Sequence, residues 1–118
     1  MKIINKTKNT ILAENAVIAD TVFKRMKGLL ARKGLKPEEA LVLKPCKSIH
    51  TFFMRFPIDV VFVGQDNRII KAIQGLAPWR LTGIYFLAQY CIELPIGTLT
   101  FSHTSSGDLL FIGDSDHF

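Results

Sequence analysis

The chain has little of several things, and each scarcity excludes a class of protein. Two cysteines, Cys46 and Cys91, in 118 residues are too few for the disulfide framework of a small secreted domain. They are expected as reduced thiols, with Cys91 a small buried apolar side chain. A single Cys46–Cys91 bridge stays open, because spacing along the chain says nothing about proximity. One Trp and two Tyr beside nine Phe point to aromatic packing in a core rather than to a stacking surface. No apolar run approaches the roughly 18 to 20 residues needed to cross a bilayer. Met1-Lys2 leads straight into Ile3-Ile4-Asn5-Lys6 with no hydrophobic segment behind a basic start, so a soluble, unexported, cytoplasmic protein without membrane contact is expected. Cys-x-x-Cys and His-x-x-x-His pairs are missing, and so is a Gly-x-Ser-x-Gly elbow, so neither a metal nor a cofactor is expected. Internal repeats and low-complexity linkers are absent as well.

What is present suits a folded chain: 48% hydrophobic and 21% charged residues, enough for one compact domain over residues 1–118 with one core. The charge is uneven. All 15 lysines and arginines lie in residues 1–80 beside six acids, giving +9 there, and four acids alone give −4 to residues 81–118. Residues 2–5 and 10–13 read as a hairpin through Lys6-Thr7-Lys8-Asn9. Asp20 or Thr21 caps a helix through Val22, Phe23, Met26, Leu29 and Leu30, whose three- and four-residue steps make one apolar stripe that Gly34 stops. Gly28 inside it permits close contact with a neighbouring strand. Leu41-Val42-Leu43 is a buried strand. Asp59 to Val63 is an inner strand that turns through Gly64-Gln65-Asp66-Asn67 and returns over residues 68–73 as a hairpin. Residues 75–83, with Pro78-Trp79-Arg80, form a loop. Tyr90 to Leu94 alternates as a strand closed by Pro95 and Gly97, residues 98–106 are helix or loop, and Leu109 to Ile112 is a last strand.

The chemistry concentrates between Pro45 and Val63, where Cys46, Ser48, His50, Thr51, Met54 and Asp59 sit among large apolar side chains. As a strand, this stretch sends Cys46, Ser48, His50, Phe52 and Met54 to one face. As a helical turn, His50 and Met54 still align, being four residues apart. Under either local structure the two face together.

Arg25-Met26-x-Gly28-Leu29-Leu30, Pro45-Cys46-x-Ser48-Ile49-His50-Thr51-x-x-Met54-x-x-Pro57-Ile58-Asp59-Val60-x-Phe62, Pro78, Glu93-Leu94-Pro95-x-Gly97 and Gly107-Asp108, in that order over residues 10–113, resemble the prokaryotic family catalogued as domain of unknown function 192. The chain departs from many relatives at Leu30, where they have Met, and at Phe53, where they have Trp. The resemblance implies an α+β domain: a curled, mostly antiparallel, partly closed barrel-like sheet with one main helix near the N-terminus. It implies no established activity.

Four functional readings follow from the residues. The first is a pocket around His50 for a small ligand or peptide: Ser48, His50, Thr51 and Asp59 supply polar groups inside walls of Phe52, Met54, Phe56 and Trp79, and Glu93 orients His50. Against it stands a core histidine bonded to a backbone carbonyl, with Thr51 and Asp59 fixing turns. The second is an enzyme using Cys46 or Ser48 as nucleophile and His50 as base, with Lys44 and Lys47 as the positive setting for a thiolate. Neighbours two or four apart on one strand rarely reach each other in that geometry. The third is a soft-metal site of Cys46, His50 and Met54, whose ligands suit Cu(I), but Pro45 and Pro57 leave little room for a helix presenting all three. The fourth is an anionic partner such as nucleic acid on Lys24, Arg25, Lys27, Arg32 and Lys33. No aromatic interleaving accompanies these cations, so a solvated helix face is expected and nucleic acid is not. His103 and His117 read as surface residues. The leading expectation is a ligand- or peptide-binding domain, monomeric or weakly dimeric.

Overall fold

Ile58-Asp59-Val60-Val61-Phe62-Val63 is apolar on both of its sides except at Asp59, and such a strand is stable only with both faces covered. The computed structural model describes residues 1–19 and 34–114. In it this segment is the fully buried strand β5 (Ile58–Gly64). The other strands are β1 (Lys2–Asn5), β2 (Thr10–Ala13), β3 (Asn15–Ala19), β4 (Glu39–Leu43), β6 (Ile69–Leu76), β7 (Ala88–Pro95) and β8 (Leu110–Gly113), and α1 (Thr98–Phe101) is a one-turn helix between β7 and β8.

The strands make two sheets, β2-β1-β8 and β3-β4-β7-β5-β6. Two-residue alternation divides the side chains of the larger sheet. Val42, Val61, Val63, Ile92 and Leu94 face the smaller sheet, where Ile3, Leu12 and Leu110 meet them in one core. Leu41, Leu43, Ile58, Val60, Phe62 and Cys91 face the other way and pack with Cys46, Ile49 and Met54 from the loop between β4 and β5. That loop is therefore a lid on the second face of the sheet, and its residues choose between sheet and solvent.

The expected β1–β2 and β5–β6 hairpins are both present, β7 lies where alternation puts it, and β8 lies on the apolar run expected as the last strand. The α+β, partly closed barrel-like architecture is corrected. The described chain is mostly β, neither sheet closes, and the helix it contains is α1 near the C-terminal end. Closure fails because β2 does not continue into the larger sheet. After Ala13, the N–H groups of Glu14 and Asn15 both donate to the Glu38 carbonyl at 2.9 Å, and the chain leaves the small sheet to run parallel to β4 as β3. The main helix expected from Asp20 or Thr21 to Leu30, with Gly28 in it, lies outside the described residues. Among the described residues no helix is long and apolar enough to cross a membrane.

Candidate functional site

The segment Pro45–Pro57 is neither strand nor helix. Its ladder contact is a single antiparallel bridge, His50 to Leu81, and it then turns tightly, with Phe53 at φ 68°. Two threonines zip this segment to the loop after β6. Thr51, fully buried, donates its N–H to the Arg80 carbonyl (2.9 Å) and its hydroxyl to the Ala77 carbonyl (2.6 Å). It accepts from the Arg80 N–H at 2.9 Å, and its carbonyl accepts from the Trp79 and Met54 N–H groups at 2.9 and 3.2 Å. The Thr82 hydroxyl accepts from the Ile49 N–H at 3.0 Å. Thr51→Val keeps the shape and removes the hydroxyl, leaving the Arg80 N–H and Ala77 carbonyl unmatched. A loss of about 2 kcal/mol in chemical denaturation is expected, with faster amide exchange at Arg80.

The turn breaks the alternation that put His50 and Met54 on one face. Met54 is buried against the sheet with Cys46 and Ile49, whereas Ser48 and His50 are exposed. Asp59 is buried on the opposite face of β5 from Met54, its carboxylate accepting from the Gly75, Gly97 and Leu99 N–H groups at 2.9, 3.1 and 3.0 Å. Glu93 lies on β7, on the Cys91 side of the sheet, and does not orient His50. The polar, sulfur and tryptophan side chains expected at the site therefore separate into a surface group (Ser48, His50, Trp79), a group under the lid (Cys46, Met54, Glu93) and two structural clamps (Thr51, Asp59). Cys46 and His50 do not face each other as nucleophile and base. Their side chains diverge, and the Cys46 thiol donates to the Ser48 carbonyl at 3.2 Å. The basic set Lys24, Arg25, Lys27, Arg32 and Lys33 lies outside the described residues. Among the described residues no three His, Cys, Asp or Glu side chains are placed to hold a metal ion.

The surface group is part of a row of rings. His50 stacks on Phe52 (centroids 4.8 Å apart, 25° between planes), Phe52 on Trp79 (6.0 Å, 28°), and Phe53 tilts against Trp79 at 4.7 Å. Phe53 is 67% exposed and Trp79 56%, and both hold left-handed backbone, at φ 68° and 62°. Leu81, bridged to His50, is also exposed. Aromatic composition had suggested core packing alone, but a stacking surface exists as well. Arg55, two residues after Phe53, and Arg80, next to Trp79, are exposed, and neither residues 44–58 nor 77–87 contain an acid. Among the described residues, open clefts of about 370, 650 and 560 Å³ lie elsewhere and are not lined by His50 or Trp79.

A polar network that the sequence did not announce ties the β1–β2 turn to residues 102–108. Buried Asn5 donates to Asp108 (2.8 Å) and Thr104 (3.0 Å), and Lys8 Nζ donates to Asp108 (3.0 Å) and the His103 carbonyl (2.9 Å). Burial alone would raise the Asp108 carboxyl. Hydrogen bonds from Asn5, Lys8 and the Ser105 N–H, with the Lys8 charge, outweigh it and hold the group below its ordinary range. Its polar atoms are paired, so the network is a staple between the ends of the chain.

The model of a family described as "Uncharacterized ACR, COG1430" matches residues 3–112. A UPF0127 protein of Thermococcus sibiricus is 33% identical over 110 residues, covering 90% of this chain and 71% of that protein. Another UPF0127 protein, from Pyrococcus horikoshii, is 38% identical over 101 residues, covering 80% of this chain and 84% of its own length. Among solved structures, a protein of unknown function from Novosphingobium aromaticivorans shares the fold with a TM-score of 0.82 at 19% identity, covering 95% of this chain and 84% of that one.

Proposed function

Since the chain belongs to the DUF192 family, whose description names no activity, we propose a function from the surface itself: the domain binds a short apolar peptide segment across the His50–Phe52–Trp79–Phe53 rings. The observation that supports this is the backbone under the two most prominent rings. Phe53 and Trp79 each take a left-handed conformation that costs a bulky residue on the order of 1–2 kcal/mol, and each spends it on holding a large ring in water. The ring contacts offset only part of that cost. Rigid aromatic rings in a polar setting are what peptide and protein partners dock on, because they offer area at little entropy cost. Ring centroids stepping by 4.8 and 6.0 Å also suit alternate side chains of an extended segment, roughly 6.6 Å apart. Arg55 and Arg80 favour an acidic residue beside the apolar ones.

Trp79 is the chain's single tryptophan, so its emission reports occupancy of the site. Displayed peptide libraries panned on the full chain are expected to return sequences with aromatic or long aliphatic residues next to an acid, and synthetic versions should shift Trp79 emission. Phe53→Gly and Trp79→Ala are expected to weaken such peptides by about ten- to a hundredfold. Phe53→Gly should not lower the melting temperature, because glycine relieves the left-handed strain. Peptides that bind both variants as well as wild type would end this reading. So would a planar aromatic compound that shifts Trp79 emission when no peptide does.

A further inference from the structure

Under the lid, away from the ring surface, two thiols and an acid lie together. Cys46 Sγ and Cys91 Sγ are 3.2 Å apart, joined by a thiol hydrogen bond and not by a covalent bond. Glu93 follows Cys91 by two residues on β7, so both side chains point to the same face of the sheet. Its strand neighbours, Leu41 on β4 and Val60 on β5, are apolar. Among the described residues its carboxyl is buried with neither a hydrogen bond nor an ion pair, an arrangement that costs stability and has no packing reason.

We propose that Cys46 and Cys91 are a reversible dithiol–disulfide pair whose oxidant is a small disulfide, and that Glu93 takes up and returns their protons. The sulfurs need to approach by only about 1.2 Å to reach the roughly 2.05 Å of a disulfide. Cys46, on the loop and 5% exposed, receives the external reagent, and Cys91, fully buried, resolves it. The Cys46 thiol gives its proton to the Glu93 carboxylate. The thiolate attacks one sulfur of R–S–S–R, that bond breaks, and the leaving thiolate takes the proton from Glu93. Cys91 then gives its proton to Glu93 and attacks the Cys46 sulfur. The bond from Cys46 to the second R–S breaks, and that thiolate takes the second proton. Two protein thiols lose two electrons, and one external disulfide becomes two thiols.

The carboxyl is matched to the task. Burial first, and the nearby Cys46 second, push Glu93 up to about 8, close to a thiol's ordinary value of roughly 8.5, so the proton passes either way at little cost. The other titratable groups that described residues bring to this face are Cys91, Glu39 two residues before Leu41 on β4, Lys71 opposite Phe62 on β6 and, beyond Phe62, Tyr85.

Oxidised and reduced glutathione at graded ratios, with the full chain, test the proposal. After quenching and unfolding, alkylation and mass spectrometry are expected to show both thiols lost together, a Cys46–Cys91 linked peptide and a monomeric chain. Glu93→Gln should slow this oxidation about tenfold at pH 7 and remove the component of its pH–rate profile that inflects near pH 8 in wild type, while Glu93→Asp restores part of both. Three outcomes overturn the pairing: glutathione remaining on Cys46, disulfides between chains, or reaction only on unfolding. A Glu93→Gln protein with unchanged rate and profile overturns the role of the acid. If that variant does not fold, a wild-type profile without the inflection does the same.

Discussion

Glu93→Gln is expected to stabilise the domain at pH 8 and to change little at pH 4. In the folded chain burial, and then Cys46, raise this carboxyl from 4.5 to about 8. A group with a raised folded value contributes stability that is fully present below its unfolded value and is lost as pH rises through the folded one. Wild type should therefore weaken steadily between about pH 4.5 and pH 8, by up to about 5 kcal/mol in total. Glutamine has the same shape and nothing to ionise, so its advantage grows across that window and levels off above it. Urea midpoints at half-unit pH steps read the difference directly. A variant whose advantage is the same at pH 4 and pH 8 would show that Glu93 is not held protonated by its surroundings. A glutamate kept where a glutamine is more stable is a hallmark of a working group rather than a structural one.

The second large effect is expected at Asp59. Its carboxylate is the acceptor for three backbone N–H groups from two separate segments, Gly75 at the end of β6 and Gly97 and Leu99 at the start of α1. Asp59→Ala leaves all three without their partner, the Leu99 N–H in a buried position and the other two at its edge, and a loss on the order of 3 kcal/mol is expected. Asp59→Asn keeps one acceptor oxygen and brings two donors of its own, so it should fall between the two. Hydrogen exchange offers the sharper check: protection should drop at Gly75, Gly97 and Leu99 together, because one side chain serves them all. Loss at only one of the three would mean that the segments hold themselves.

The density of β-branched and aromatic residues was enough to place β5 with β6 returning beside it, and alternation was enough for β7, because their turns carry glycine, asparagine or proline. Both missed β3, whose five residues include two alanines and whose partner, β4, is parallel and 24 residues away. No local signal marks such a pairing. The site failed for a related reason. His50 and Met54 share a face only on a regular backbone through Phe53, and no glycine or asparagine stands there to warn of a left-handed turn. The nearness of Cys46 to Cys91 depends on the pairing of Leu43 with Cys91 across β4 and β7, so it became visible only with the register. Asp59, by contrast, was legible as a fixer of turns once a lone acid was seen inside an apolar strand.

The central strand of the small sheet is β1, flanked by β2 on one side and by β8, from the far end of the chain, on the other. A two-stranded hairpin alone is at best marginally stable in water. While the protein is being made, β1 and β2 must wait for β8 before their sheet can form. Until then the core around Ile3 and Leu12 lacks Leu110 and β1 has one open edge, so a nascent chain stalled before residue 110 should be a substrate for chaperones.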